Sequence, residues 1–236
     1  MKFEFGVGEV NTSSANKIIK SVANALEYDY LLFFDSRSIV NSFIREFDKN
    51  NSTYLIISRP KNLTVFPTLV NFIVLNKNLK FKILITNLGF VDCTPKKQDN
   101  INDILSQIEQ FSKVKSTIVK YDKCKLNDET YELLQSIQYS QEHLENINSV
   151  LAHKFDKCYF INTPIVDKNM KMERRRPNSF FTQLYKTNEL INTIVDLSER
   201  NILIDIKELN YTYDGVHYTE EGNKLIFNKI QESVFK

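Results

Sequence analysis

Tyr30-Leu31-Leu32-Phe33-Phe34-Asp35-Ser36-Arg37-Ser38 is an apolar run that passes without a break into polar residues. A short, continuous apolar run ended by a turn signal is the pattern of a strand buried on both faces of a parallel sheet, where helices cover it from either side. Ile39, Val40, Phe43 and Ile44 then recur at helical spacing, so the segment from Asp35 to Ser38 falls at a strand-to-helix turn. A serine there stands beside the free N–H groups of a helix's first turn. Ser36 thus has the position of a nucleophile, and its own N–H that of an oxyanion donor. Asp and Ser are also ordinary helix caps, and capping by Ser36 or Ser38 is the competing reading.

The same rhythm continues outward. Tyr54–Ser58, Phe81–Thr86, Cys158–Asn162 and Ile202–Ile206 read as further buried strands, with helices expected over Pro67–Leu75, Asp99–Phe111, Asp128–Ala152 and Ser179–Glu199 and after Thr219. Strand, loop, helix and strand in this order predict an α/β fold: one domain over 1–236 around a mostly parallel five-stranded sheet with right-handed crossovers. Ahead of it, residues 3–7 read as a short strand and Asn16–Leu26 as a helix carrying Ile18, Ile19, Val22, Ala23 and Leu26. Ser116–Lys123 alternates without a decided type, and roughly 112–150 is more chain than a crossover needs. We read it as a largely helical insertion, serving as a lid or as the contact of a homo-oligomer.

Composition narrows the function classes. Lys plus Arg number 31 against 29 Asp plus Glu, a net charge of +2, which gives no broad footprint for nucleic acid. No segment approaches the length of a membrane span, and Met1-Lys2-Phe3-Glu4-Phe5-Gly6 carries an acid where a signal peptide needs an apolar run, so cytoplasmic residence is the expectation. Cys93, Cys124 and Cys158 lack disulfide or zinc spacing, and His143 and His153 have no ligand-spaced partners, which argues against both a disulfide framework and a zinc site. A small-molecule or polymer substrate is the remaining expectation.

The second informative stretch is Tyr213-Asp214-Gly215-Val216-His217-Tyr218-Thr219. Gly215 lets the loop fold back so that the Asp214 carboxylate faces the His217 ring, while Thr219 caps the helix that follows. A carboxylate accepting from one ring nitrogen fixes the tautomer whose other nitrogen takes a proton. Ser36, Asn62, the Asn87–Gly89 region and the Asp214/His217 loop all follow C-terminal strand ends, and in open α/β sheets those loops share one crevice. Residues far apart in the chain converge there as a Ser, Asp, His set for acyl transfer.

On these residues the chain resembles the SGNH/GDSL hydrolases. Their first block, Gly-Asp-Ser, looks like Phe34-Asp35-Ser36; their third, Gly-x-Asn-Asp, like Gly89-Phe90-Val91-Asp92; their fifth, Asp-x-x-His, is Asp214-Gly215-Val216-His217 unchanged. The resemblance runs over about residues 29–234, leaving 1–28 as an extra segment. It implies a flavodoxin-like three-layer sandwich and a serine esterase, a carbohydrate O-acetyl esterase or a related acyltransferase. Ser36 would be the nucleophile, His217 the base and Asp214 its orienter, with no metal and no organic cofactor. A binding or assembly module that keeps the fold is the alternative, because Phe34 and Val91 replace the family's Gly and Asn. Asn62, Asn87 and Gly89 are the candidates for the oxyanion hole. Arg174, Arg175 and Arg176, after the fourth strand, would suit an anionic group on the substrate.

Overall fold

The structure, a computed structural model, describes residues 17–20, 26–35, 37, 52–58, 64–109, 117–126, 129–167, 169, 179–208 and 211–234. The strands are β1 (Lys17–Lys20), β2 (Glu27–Phe34), β3 (Tyr54–Ser58), β4 (Lys80–Thr86), β5 (Thr117–Leu126), β6 (Glu129–Gln138), β7 (Lys157–Ile161) and β8 (Asn201–Ile204). The helices are α1 (Phe66–Leu75), the single turn α2 (Phe90–Cys93), α3 (Gln98–Glu109), α4 (Gln141–Lys154), α5 (Phe180–Asp196) and α6 (Glu220–Val234).

Six strands form one sheet in the order β1-β3-β2-β4-β7-β8. The five from β3 to β8 are mutually parallel, as expected, and by chain order they run 2-1-3-4-5, the flavodoxin-like arrangement. Alternate residues of the apolar runs point to opposite faces. Leu31, Phe33, Leu55, Ile57, Leu84 and Phe160 pack on one side with α1, α4 and α5; Leu32, Phe34, Ile56, Ile85, Tyr159 and Ile204 pack on the other with Ile226, Phe227 and Ile230 of α6. Burial on both faces is why these strands show no alternation. The order reverses between β2 and β4, the kind of switch point beside which open α/β sheets bind their ligands.

Two expectations are corrected. Where a helix is expected over Asn16–Leu26, residues Lys17–Lys20 are a strand pairing antiparallel with β3, Lys17 opposite Ser58. The open backbone edge of β3 decides its state over local periodicity. Residues Asp128–Ala152 are not one helix: β5 and β6 form an antiparallel hairpin, and the helix starts only at Gln141. The break is chemical, since the Ser140 hydroxyl accepts the His143 N–H at 3.3 Å as an N-cap. The expected helical insertion is therefore a hairpin followed by α4. The expected strand at residues 3–7 lies outside the described residues.

Candidate active site

The base loop is built as its residues imply. Gly215 takes φ 79° at the tip, the Tyr213 N–H donates to the His217 carbonyl at 3.2 Å, and the Thr219 hydroxyl accepts the Gly222 N–H at 3.1 Å at the head of α6. Folding back this way puts the Asp214 carboxylate under the ring. Its Oδ2 lies 2.8 Å from His217 Nδ1, while Oδ1 accepts the Val216 and His217 backbone N–H groups at 3.1 and 2.8 Å. Asp214 is 1% exposed and the His217 side chain 21%, so the carboxylate is sealed while the imidazole still reaches the surface. Tyr213 stacks on one face of the ring, centroids 5.7 Å apart and planes 16° from parallel. A carboxylate held by two backbone donors and offering its other oxygen to Nδ1 leaves Nε2 as the proton-accepting nitrogen.

Ser36 lies outside the described residues, but both its neighbours are described. Asp35 and Arg37 close on one another across position 36. The Arg37 N–H donates to Asp35 Oδ1 at 2.8 Å, and Arg37 Nε lies 3.1 and 2.9 Å from the two carboxylate oxygens. Two contacts fasten this turn to the other loops. The Asp35 N–H donates to the Asn87 side-chain oxygen at 2.8 Å, and the Tyr218 N–H donates to the Arg37 carbonyl at 3.3 Å. The second contact joins the residue after Ser36 to the residue after His217. The turn that Arg37 belongs to and the loop of His217 are thus held together through Arg37 and Tyr218.

Of the oxyanion candidates, Asn62 lies outside the described residues and Asn87 is fully buried with its carbonyl end turned to Asp35. Gly89 is corrected. Its N–H donates to Asp92 Oδ2 at 3.0 Å, and its φ of 112° packs the turn under Thr187 and Ile191, so this N–H is already engaged. Val91, at the place of the family's Asn, packs against the apolar cluster of Val65, Ile101, Ile104, Ile108 and Ile137. Arg174, Arg175 and Arg176 lie outside the described residues.

Asp92 has a different task from chemistry. Its fully buried carboxylate accepts the Phe66 N–H at 2.9 Å and the Tyr139 hydroxyl at 2.6 Å besides the Gly89 N–H, tying the start of α1, the turn after β4 and the end of the hairpin together. Burial pushes its pKa up, against the pull of these donors and of Lys96. The Lys96 ammonium donates to the carbonyls of Val91, Asp92 and Thr94, and burial lowers its pKa to about 8. Cys93 and Cys158 are buried free thiols, each raised to about 12 by burial, and so unsuited to nucleophilic work.

Sequence reasoning missed Arg37, Asp92 and Asn162. Asn162 ends β7, accepting the Ile206 N–H at 2.8 Å and donating to Asp205 at 2.9 Å, so it braces the ends of β7 and β8. The available signal was the same in Thr86-Asn87 and Asn162-Thr163, a buried apolar run ending on an amide. A cavity of about 780 Å³ lined by Ile73, Leu79, Phe81, Val150, His153 and Lys154 lies at the N-terminal end of β4, away from this crevice. We assign it no part in the chemistry. Among the described residues no group of three or more His, Cys, Asp or Glu has the geometry to hold a metal ion, and no helix is long and apolar enough to cross a membrane.

The sequence matches no protein-family profile and no curated relative. Among solved structures it is similar to the C-terminal catalytic domain of Streptococcus pneumoniae peptidoglycan O-acetyltransferase A, with TM-score 0.48 and 11% identity over 89% of this chain and 94% of that one. An acetyl xylan esterase gives TM-score 0.49 and 14% identity over 87% and 98%. An alpha/beta hydrolase from the metagenome of Lake Arreo, Spain, gives 0.49 and 9% over 87% and 94%. At this distance the likeness speaks for neither activity nor substrate.

Proposed function

We propose that this chain is a serine-dependent ester hydrolase, or an acyltransferase of the same chemistry, of the SGNH/GDSL type, in which Ser36 attacks the acyl carbon, His217 takes its proton and Asp214 orients His217. The observation that carries the reading is the Tyr218-to-Arg37 backbone bond. It joins the loop bearing a carboxylate-fixed imidazole to the turn bearing a serine, at the switch point where an α/β sheet opens its crevice. In this mechanism the Ser36 proton passes to His217 Nε2 as the Oγ–acyl bond forms. The imidazolium is stabilised by Asp214 and returns the proton to the leaving alkoxide; water, or an acceptor hydroxyl in a transferase, then releases the acyl group. The oxyanion is received by the Ser36 N–H and Asn62, and Arg174, Arg175 and Arg176 favour an ester carrying an anionic group. The substrate class that follows from the resemblance is a small acyl ester, acetylated carbohydrate included. No cofactor enters these steps.

A fluorophosphonate probe tests the nucleophile directly. Labelling at Ser36 that is lost in His217→Ala, together with short-chain nitrophenyl ester hydrolysis lost in Ser36→Ala, is the expected result. A second reading, a binding module that keeps the fold, is favoured by the engaged Gly89 N–H and by Val91 facing an apolar cluster. Well-folded wild-type protein that resists the probe would decide for the module.

A further inference from the structure

We propose that Arg37 is a positioning residue of this site, a side chain that sets the attitude of the turn carrying Ser36; the proposal rests on the esterase reading above. Arg37 is 1% exposed, and three elements meet on it. Its Nε pairs with both Asp35 carboxylate oxygens, its guanidinium carbon lies 5.5 Å from the centroid of the Phe90 ring in the loop after β4, and its carbonyl receives the Tyr218 N–H of the base loop. Phe90 in turn packs in an apolar cluster with Val216, which lies between Asp214 and His217. One side chain thus spans the turn at position 36, the switch-point loop and the base loop.

Stability alone does not account for it. A buried ion pair is often no better than an apolar side chain of the same volume, because both charges lose their water. Here the cost is raised further: Nη1 and Nη2 of Arg37 find no hydrogen-bond partner among the described residues, and neither does the buried Tyr218 hydroxyl. Methionine would fill this site more cheaply. What methionine does not provide is a planar donor that fixes the Asp35 carboxylate, which in turn accepts the Arg37 N–H and closes the turn across position 36. Near-attack geometry tolerates little error: a displacement of about 1 Å can lower a rate roughly a hundredfold. Arg37 acts through Asp35 on the placement of Ser36 and need not touch the substrate.

The test compares wild type with Arg37→Met and Arg37→Lys, measuring kcat and KM for a neutral short-chain ester, the rate of fluorophosphonate labelling and the thermal midpoint. For Arg37→Met the expectation is a roughly 10- to 100-fold fall in both kcat and labelling rate, with KM within about threefold and a folded protein at the assay temperature. Arg37→Lys, which keeps the charge but not the fork, should recover part of the loss. Adding Asp35→Asn to Arg37→Met should cost little more, since the two act as one unit. Folded Arg37→Met with wild-type kcat and labelling rate overturns this role and leaves the esterase reading standing. Should Arg37→Met fail to fold, Arg37→Lys and Arg37→Gln carry the same readouts, and wild-type rates in both overturn the role. A wild-type chain that neither labels nor turns over ester overturns the esterase reading, and this role with it.

Discussion

Asp214→Asn separates the chemistry of the dyad from the integrity of its loop, because the two carboxylate oxygens have different partners. Both backbone donors, from Val216 and His217, converge on Oδ1, while the ring meets Oδ2. An asparagine will place its oxygen where the two N–H groups point, which turns its Nδ2 toward the ring. An amide nitrogen donates, so Nδ1 must become the acceptor and the ring proton moves to Nε2, the nitrogen that has to accept from Ser36. The loop stays and the tautomer is wrong. In the serine-protease triad the corresponding change lowers kcat by about 10⁴-fold, and a fall of roughly that size is expected here for ester hydrolysis and for fluorophosphonate labelling. The thermal midpoint should stay close to wild type. Asp214→Ala is the control: it strands both backbone donors in a buried site, each costing about 1–3 kcal/mol, and should lower stability as well as rate. Activity of Asp214→Asn within about threefold of wild type would refute the tautomer argument and make the pair structural.

Asp92→Ala leaves the Phe66 and Gly89 N–H groups and the Tyr139 hydroxyl without their acceptor, and should cost at least about 3 kcal/mol in urea unfolding; a loss under about 1 kcal/mol would mean the clamp is dispensable. Gly222→Ala would set a Cβ 2.6 Å from the Tyr211 carbonyl oxygen, pushing the base loop off the head of α6, so a loss of stability of about 1–3 kcal/mol with reduced activity is expected, and unchanged stability would contradict it. Lys96 makes stability depend on pH in a direction that can be signed. Between about 8, its folded value, and 10.5 the unfolded chain keeps the proton that the folded chain has lost, so stability rises with pH, by up to roughly 1.4 kcal/mol per unit. Unfolding free energy of wild type minus that of Lys96→Met, measured from pH 7.5 upward, should therefore climb, and a flat or falling difference would count against a buried ammonium.

Why some of this was legible in the sequence and some was not follows from the range of the interactions. β2, β3, β4 and β7 announce themselves because both faces are buried, so Leu31 and Leu32 are equally apolar although they serve opposite cores. The Asp214–His217 pair is equally open to reading: three residues of separation and one glycine are all its geometry needs. β1 and the hairpin hid for the opposite reason. Ile18 and Ile19 suit a helix or a strand, and pairing with Ile57 and Ile56 decides between them; β6 is anchored by a bridge from Lys96 to Gln135. Arg37 and Asp92 carried no local signal because they are fixed by partners from other elements, Arg37 by Phe90 and Tyr218 and Asp92 by Phe66, 26 residues away. Periodicity records which face of an element is buried and is silent on which remote donor a buried carboxylate will meet.

In the esterase reading, the turn after β4 carries a consequence for rate. An oxyanion hole acts through donors aimed at the developing charge, and loss of one can lower turnover by about 10²–10³-fold. Here the Gly89 N–H is held by Asp92, the Asn87 carbonyl by the Asp35 N–H, and Val91 faces the Ile101 cluster. The turn after β4 is thus committed to bracing: it fixes Asp35 from one side and α1 from the other. Val91→Asn would put an amide among apolar side chains and should destabilise the chain without adding a donor to the hole. An engaged Asn87 carbonyl leaves its amide nitrogen a donor, so the candidates for an acyl intermediate are the Ser36 N–H, Asn62 and Asn87 Nδ2; if Asn62 is the principal side-chain donor, Asn62→Ala should remove an order of magnitude or more of kcat while the fold is kept. Unchanged turnover in Asn62→Ala would remove Asn62 from the hole and leave the oxyanion to the Ser36 N–H and the Asn87 amide, with Asn87→Ala then the variant expected to lose turnover.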